Sequence, residues 1–370
     1  MAVLRFNQMA NSLIKGFISL ALLLGILLAY FFFWPVPVEP QAWDAPAARE
    51  YTGDFAVNTE LDDFTALALD GLTGPEAVVQ GPHGYLYATS HEGWILRWLE
   101  NQEPQKWVKL PARPLGIALD KEANVWAACV DTGLLKITPQ GEISTELTQV
   151  DGQDIRYADD LDIANNGKIY LSDASTKFFP SDWGGTLAAS LLDILEHAGN
   201  GRVIEYDSNS GSARVVKKGL NFANGIAIDP AQQFVLVVET GSYRVWKLWI
   251  AGQRVGQEEI IIDNLPGFPD NIHVGKQGRF WVGLTAPRAQ ILDNLSRRPA
   301  MRKVVQRLPA FMRPKVVHYG AVFAINESGQ VISNKQSPTG KVYATTGVAE
   351  TDDYLYITSL TAPFLARITK

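Results

Sequence analysis

Cysteine occurs once in 370 residues, at position 129. A disulfide within the chain and a thiolate metal cluster are therefore excluded. Histidine is scarce, with five residues, and the pattern Gly-x-Ser-x-Gly does not occur, so a hydrolase built on a nucleophile elbow has no support. An excess of basic charge is also missing. Lys and Arg number 33 against 39 Asp and Glu, a net charge of −6, which argues against wholesale attraction to nucleic acid. With 19% charged and 46% hydrophobic residues, the chain is neither disordered nor fibrous and can bury a full-sized core.

Charge is absent from one stretch in particular. Residues 17–33, FISLALLLGILLAYFFF, carry none, and Trp34, Pro35 and Val36 extend the apolar run to about twenty residues, enough to span a bilayer as one helix. Arg5 and Lys15 precede the run, and Glu39 and Asp44 follow it. The positive-inside bias then predicts a cytoplasmic N-terminus, with everything after residue 37 on the periplasmic, extracellular or lumenal side. The run is longer than a signal-peptide core, which favours a retained anchor over cleavage near Ala45-Pro46-Ala47. The expected organisation is a cytoplasmic segment over 1–16, a transmembrane anchor over 17–37, a linker over 38–50 and one folded domain over 51–370.

That domain is repetitive. A unit of small or polar turn, alternating apolar strand, polar turn and second β-branched or aromatic strand starts at Pro75, Pro114, Ala158, Ala223 and Pro269, with a weaker copy at Thr345. Period-two alternation between Gly, Asn and Asp turns is hairpin chemistry. Six units of about forty residues predict an all-β, six-bladed β-propeller closed radially, with residues 51–66 lending a strand to the last blade. Two intervals are much longer than the rest. They hold helical insertions around residues 187–197, read as lying between the third and fourth blades, and 289–312, which is amphipathic and basic. Insertions of this kind gather on one face, so both are read as walls or lids over a pocket.

One position recurs six times around the expected axis: Glu76, Leu115, Asp159, Asn224, Asp270 and Thr346. Four of these carry an acid or amide oxygen, and Asn271 follows Asp270 directly. Carboxylates gathered there repel one another unless a cation neutralises them. Oxygen ligands of mixed carboxylate and amide type suit a hard ion, calcium rather than magnesium. Glu76, Asp159, Asn224, Asp270 and Asn271 are thus the candidate metal ligands. Asp160, Leu115, His197 and Thr346 are candidates for the pocket wall.

The segments GPEAVV, YADDLDIANNGKIYLSDASTKF, LLDILEHAGNGRVIEYD, GLNFANGIAIDPAQQFVLVVETGSYRVWKLWI and NLPGFPDNI resemble the strictosidine synthase-like proteins. These are grouped with the gluconolactonase/regucalcin proteins and the paraoxonases, and within them the chain is most similar to the membrane-anchored branch. The resemblance covers roughly residues 70–360. It implies a calcium-dependent six-bladed propeller whose ligands fall on Glu76, Asn224 and Asp270, with Asn271 and Asp159 as further ligands or substrate contacts. Asp159 stands where many relatives have Asn. The alkaloid-forming synthases have a catalytic Glu where this chain has Thr346, which disfavours condensation of an amine with an aldehyde. Paraoxonases carry a His where this chain has Leu115, so their proposed base dyad is lost. The expected activity is calcium-dependent hydrolysis of lactones or aryl esters. The metal would polarise the carbonyl and Asp270 would act as general base. The rival expectation is a non-catalytic, membrane-tethered propeller whose calcium is structural. Beyond a small-molecule substrate and the membrane, no obligatory partner is expected, because a closed ring is stable alone.

Overall fold

The computed structural model describes residues 2–313 and 317–370. Six four-stranded antiparallel sheets follow one another along the chain, each built from consecutive strands except the last. Blades 1 to 5 span 78–109, 114–147, 158–220, 223–262 and 267–337. Blade 6 combines the strands within 345–369 with Thr65–Ala68, which pairs with Phe364–Thr369 and so closes the ring. The closing strand sits at the end of the window expected for it. The residues just before it run instead along the outer edge of blade 5, where Leu61 N–H donates to the Gln336 carbonyl and Gln336 Nε2 to the Phe55 carbonyl.

Apolar residues of neighbouring blades interdigitate to form the core. Val78, Leu86 and Trp98 of blade 1 pack against Ala349 and Tyr356 of blade 6, and Phe234 and Leu236 of blade 4 pack against Ile272, Phe280 and Phe323 of blade 5. Each strand alternates its side chains between the two flanking blades, and the central strands are buried along their length.

The innermost strands share an irregularity. In blades 2 to 6 the register slips at the start of the inner strand, for example between Ala158 and Leu161, Ala223 and Ile226, and Pro269 and Ile272. Such a bulge withdraws two residues from the ladder and re-aims their side chains. The first residue of each slipped pair is the one that recurs around the axis. The second is glycine in blades 2, 4 and 6, and in blades 2 and 4 the next inner strand comes closest. A Cβ on Gly116 would meet Asp160 Cα at 2.7 Å, and one on Gly225 would meet the Ile272 nitrogen at 2.3 Å.

Both insertions interrupt a blade between its second and third strands, rather than separating blades. In blade 3 the insertion carries α2 (Pro180–Trp183) and α3 (Thr186–Glu196), and in blade 5 it carries α4 (Gln290–Asn294) and α5 (Pro299–Arg307). In an antiparallel meander that connection lies at the end where the first strand begins. The two insertions therefore form a roof over the axial positions.

The N-terminal helix, α1 (Ala2–Phe33), contains one segment, Leu13–Phe33, long and apolar enough to cross a membrane, and none of that segment is buried against the protein. The stretch expected to be a linker is irregular in backbone but fastened down. Val38 is fully buried among Leu115, Ala189, Leu192 and Ile194. Gln41 N–H donates to the Glu196 carbonyl at 2.8 Å, and Trp43 N–H to the Ser296 carbonyl at 3.2 Å.

Candidate functional site

The bulges bring the recurring residues together across the ring. Thr346 Oγ1 of blade 6 donates to the Glu76 carbonyl of blade 1 at 2.7 Å, and Asn271 Nδ2 of blade 5 donates to the same oxygen at 3.0 Å. Asn224 Nδ2 of blade 4 donates to Asp270 Oδ1 at 2.5 Å. Glu76, Asp159, Asn224, Asp270, Asn271 and Thr346 are all buried. Three oxygens of this set, Asn224 Oδ1, Asp270 Oδ2 and Asn271 Oδ1, have no hydrogen-bond partner although they are shielded from solvent.

Sequence reasoning missed one member of the constellation. Arg113, immediately before the inner strand of blade 2, places Nη2 2.5 Å from Glu76 Oε2, with both side chains nearly buried. Its Nη1 donates to Thr186 Oγ1 at 2.7 Å, which links the pair to the first residue of α3 in the roof. The available signal was a basic residue beside the Pro that opens a repeat unit, two places before the aligned column.

Electrostatics follow from burial. The carboxyls of Asp159 and Asp270 are pushed well above the usual range, by loss of solvent first and then by the negative charges of their neighbours. The Glu76 carboxyl is also raised by burial, against the pull of Arg113. One guanidinium faces three carboxyls, so the ring is short of positive charge when those groups ionise.

The four wall candidates separate. Thr346 lies in the axial ring. Leu115 occupies its axial position but belongs to the apolar cluster under the roof, with Val38, Tyr157 and Phe178. Asp160 does not face the pocket as expected. Its two oxygens accept the backbone N–H groups of Leu161 and Ile226, both at 2.9 Å, and so clasp blade 3 to blade 4. Asp162 repeats the clasp two residues on, taking the Ile228 N–H at 2.8 Å. His197 caps α3 in the left-handed conformation (φ 53°) and stacks on Trp43 with ring centroids 4.0 Å apart. It belongs to the roof, where burial holds its imidazole neutral and its pKa down to about 3.

Among the described residues no three Asp, Glu, His or Cys side chains form a metal cluster, so a cation here would depend on amide oxygens as well as acids. The partnerless oxygens of Asn224, Asp270 and Asn271 are such donors. They are hard, buried and unsatisfied, and in that respect the residues present fit a calcium ion.

A closed ring of six four-stranded blades around a polar axis defines the class, a six-bladed β-propeller with an axial site. Models of known families match the chain as "Strictosidine synthase" over residues 159–253 and "Strictosidine synthase-like, N-terminal" over 53–98. Bovine adipocyte plasma membrane-associated protein is 30% identical, with 90% of this chain and 84% of the relative covered. Protein strictosidine synthase-like 10 of Arabidopsis thaliana is 32% identical, covering 80% and 85%. The chain belongs to the strictosidine synthase-like family. Among solved structures, a gluconolactonase of Xanthomonas campestris superposes with a TM-score of 0.60 at 17% identity, covering 90% of this chain and 96% of its own. Regucalcin of Agrobacterium tumefaciens, titled a calcium-binding protein, gives 0.58 at 15% identity, covering 82% and 93%. These two share the fold.

Proposed function

We propose that the protein is a calcium-dependent hydrolase of lactones or aryl esters, with its site at the mouth of the propeller axis. The observation that carries this reading is the group of buried, partnerless oxygens on Asn224, Asp270 and Asn271. Unpaired polar atoms in a folded interior are costly and call for a partner, a water or an ion. Glu76, Asn224, Asp270 and Asn271 would hold the ion, with Asp159 completing the set. Calcium, when bound, supplies an electrophile for the substrate carbonyl.

The chain's own groups do the rest. Asn224 fixes the Asp270 carboxyl through Oδ1, so Oδ2, the oxygen offered to the ion, is also the one that would take a proton from an attacking water. Thr346 and Asn271 pin the Glu76 backbone, setting the height of the ring. Thr346 offers a hydroxyl and no carboxyl, so amine–aldehyde condensation through an acid at this position has no support. The gluconolactonase among the structural neighbours and the family's membrane-associated relatives support an enzyme whose anchor is retained. In this reading the propeller lies outside the cytoplasm, as the charges flanking the apolar helix indicate.

The test is hydrolysis of a small panel of lactones and aryl esters by the full-length protein in lipid nanodiscs, with calcium and after chelation. The expected result is turnover that is lost on chelation and restored by calcium. In Asp270→Asn turnover should fall roughly 100-fold or more, the scale of a lost general base. Absence of turnover while calcium still raises the melting temperature would make the ion a structural staple and the protein a non-catalytic propeller.

A further inference from the structure

The apolar helix and the roof are joined end to end. Arg307, buried at the end of α5, donates through Nε to the Trp34 carbonyl at 2.6 Å and through Nη1 to the Phe31 carbonyl at 2.8 Å. Tyr30 returns a hydrogen bond from its hydroxyl to the Arg307 carbonyl at 3.0 Å. These are orphan carbonyls of the last helical turn, satisfied by a guanidinium from the roof. Arg302, also buried, locks the layer by donating to carbonyls of Gln41, Leu195 and Ser296. No slack remains between the end of the apolar segment and α5. Where α1 leaves a bilayer, α5 must therefore sit at headgroup depth.

The surface there has the matching chemistry. Phe311 and Met312, just beyond α5, are 77% and 55% exposed, and Met301 on α5 is exposed as well. Arg297 and Arg298, just before α5, are exposed as well, Arg297 in an exposed pair with Asp44. Exposed apolar side chains and exposed arginines on one segment suit the boundary between acyl chains and anionic headgroups. We propose that the roof lies on the membrane surface, with residues 297–312 seated in the headgroup layer, so that the channel-mouth face of the propeller is turned toward the bilayer. A ligand entering the axis through the roof then comes from the interfacial layer.

The experiment places an environment-sensitive fluorophore on Phe311→Cys in the full-length protein, in nanodiscs containing anionic lipid. Cys129 is buried, so the introduced thiol is the reactive one. The control is Asn209→Cys, in an exposed turn between the third and fourth strands of blade 3, at the opposite end of the ring. The expected result is a blue-shifted probe at 311 whose emission falls by more than half when the lipid carries a spin label near the headgroup, with no change at 209. A probe at 311 as wet and as unquenched as the one at 209 would overturn the proposal. So would shielding without lipid quenching, which would assign the face to a second copy of the chain. Should Phe311→Cys fail to fold, Met312→Cys carries the same measurement.

Discussion

Among the described residues Arg113 is the one side chain of the axis that already offers a positive charge, and it offers it to a residue that a metal would need. A hydrogen bond to a charged group contributes about 1.5–3 kcal/mol, so a guanidinium on Glu76 taxes any ion competing for the same oxygen. Replacing it in Arg113→Met should tighten calcium binding roughly 10- to 100-fold, as read by titration calorimetry on the full-length protein. Unchanged or weaker binding would show that Glu76 is not shared between the two cations. His197 makes a pH-dependent contribution of opposite character. Folding lowers its pKa to about 3 from an ordinary 6.5. Below about pH 6.5 the unfolded chain takes up a proton that the folded chain refuses, and stability falls with pH through the window down to about 3. Thermal melts of His197→Gln should accordingly lose less than the parent between pH 7 and pH 5. An equal loss in both would rule out this histidine as a source of acid sensitivity. The recurring axial residues were legible because repetition places them in one column. Arg113 was not, since its reach depends on a long side chain that begins outside that column. Asp160 misled for a related reason, because the bulge turns consecutive residues to different faces and its carboxyl serves backbone donors.

At the scale of the element, the inner strands are built to approach one another. Gly116 faces the Asp159-Asp160 bulge so closely that a Cβ would lie 2.1 Å from Asp160 Oδ1. Gly116→Ala should cost about 1–3 kcal/mol, the range for overpacking a tight interior, and should loosen the clasp between blades 3 and 4. Denaturant unfolding measures the cost, and a change under about 0.5 kcal/mol would mean the strands can part freely. The two helical insertions were visible in the sequence as long intervals between repeat units. Their place inside blades 3 and 5 was not, because an interval between first strands does not say which of four connections, three within the blade and one to the next, has grown. The burial of Val38 was equally hidden. A short irregular stretch carries no periodicity, and only the roof's apolar underside gives it a partner.

For the molecule as a whole, the ring depends on one short contribution from far away. Leu67 in the closing strand is buried with Leu69, Leu365 and Tyr356. Leu67→Ala should cost about 2–5 kcal/mol and lower the melting temperature of the entire propeller, as one transition in calorimetry. Separate melting of blade 6 would contradict a ring closed by this strand. The six-bladed fold was readable from alternation, turn residues and the count of units. The fixed attachment of helix to roof was not, because it rests on Arg302 and Arg307, which in a basic amphipathic stretch look like solvent-facing charges and turn out to be buried against backbone carbonyls.

Closure by Thr65–Ala68 against Phe364–Thr369 also sets an order of events during synthesis. Within the ring the partner strand is the last to be translated, long after the first. Until it emerges, the first strand of the domain waits as an open edge, and blades 1 to 5 form an arc that is not yet closed. A message truncated before codon 364 therefore yields a chain with two adhesive sheet edges. Such a product aggregates even though nearly every residue of the axial site has been made.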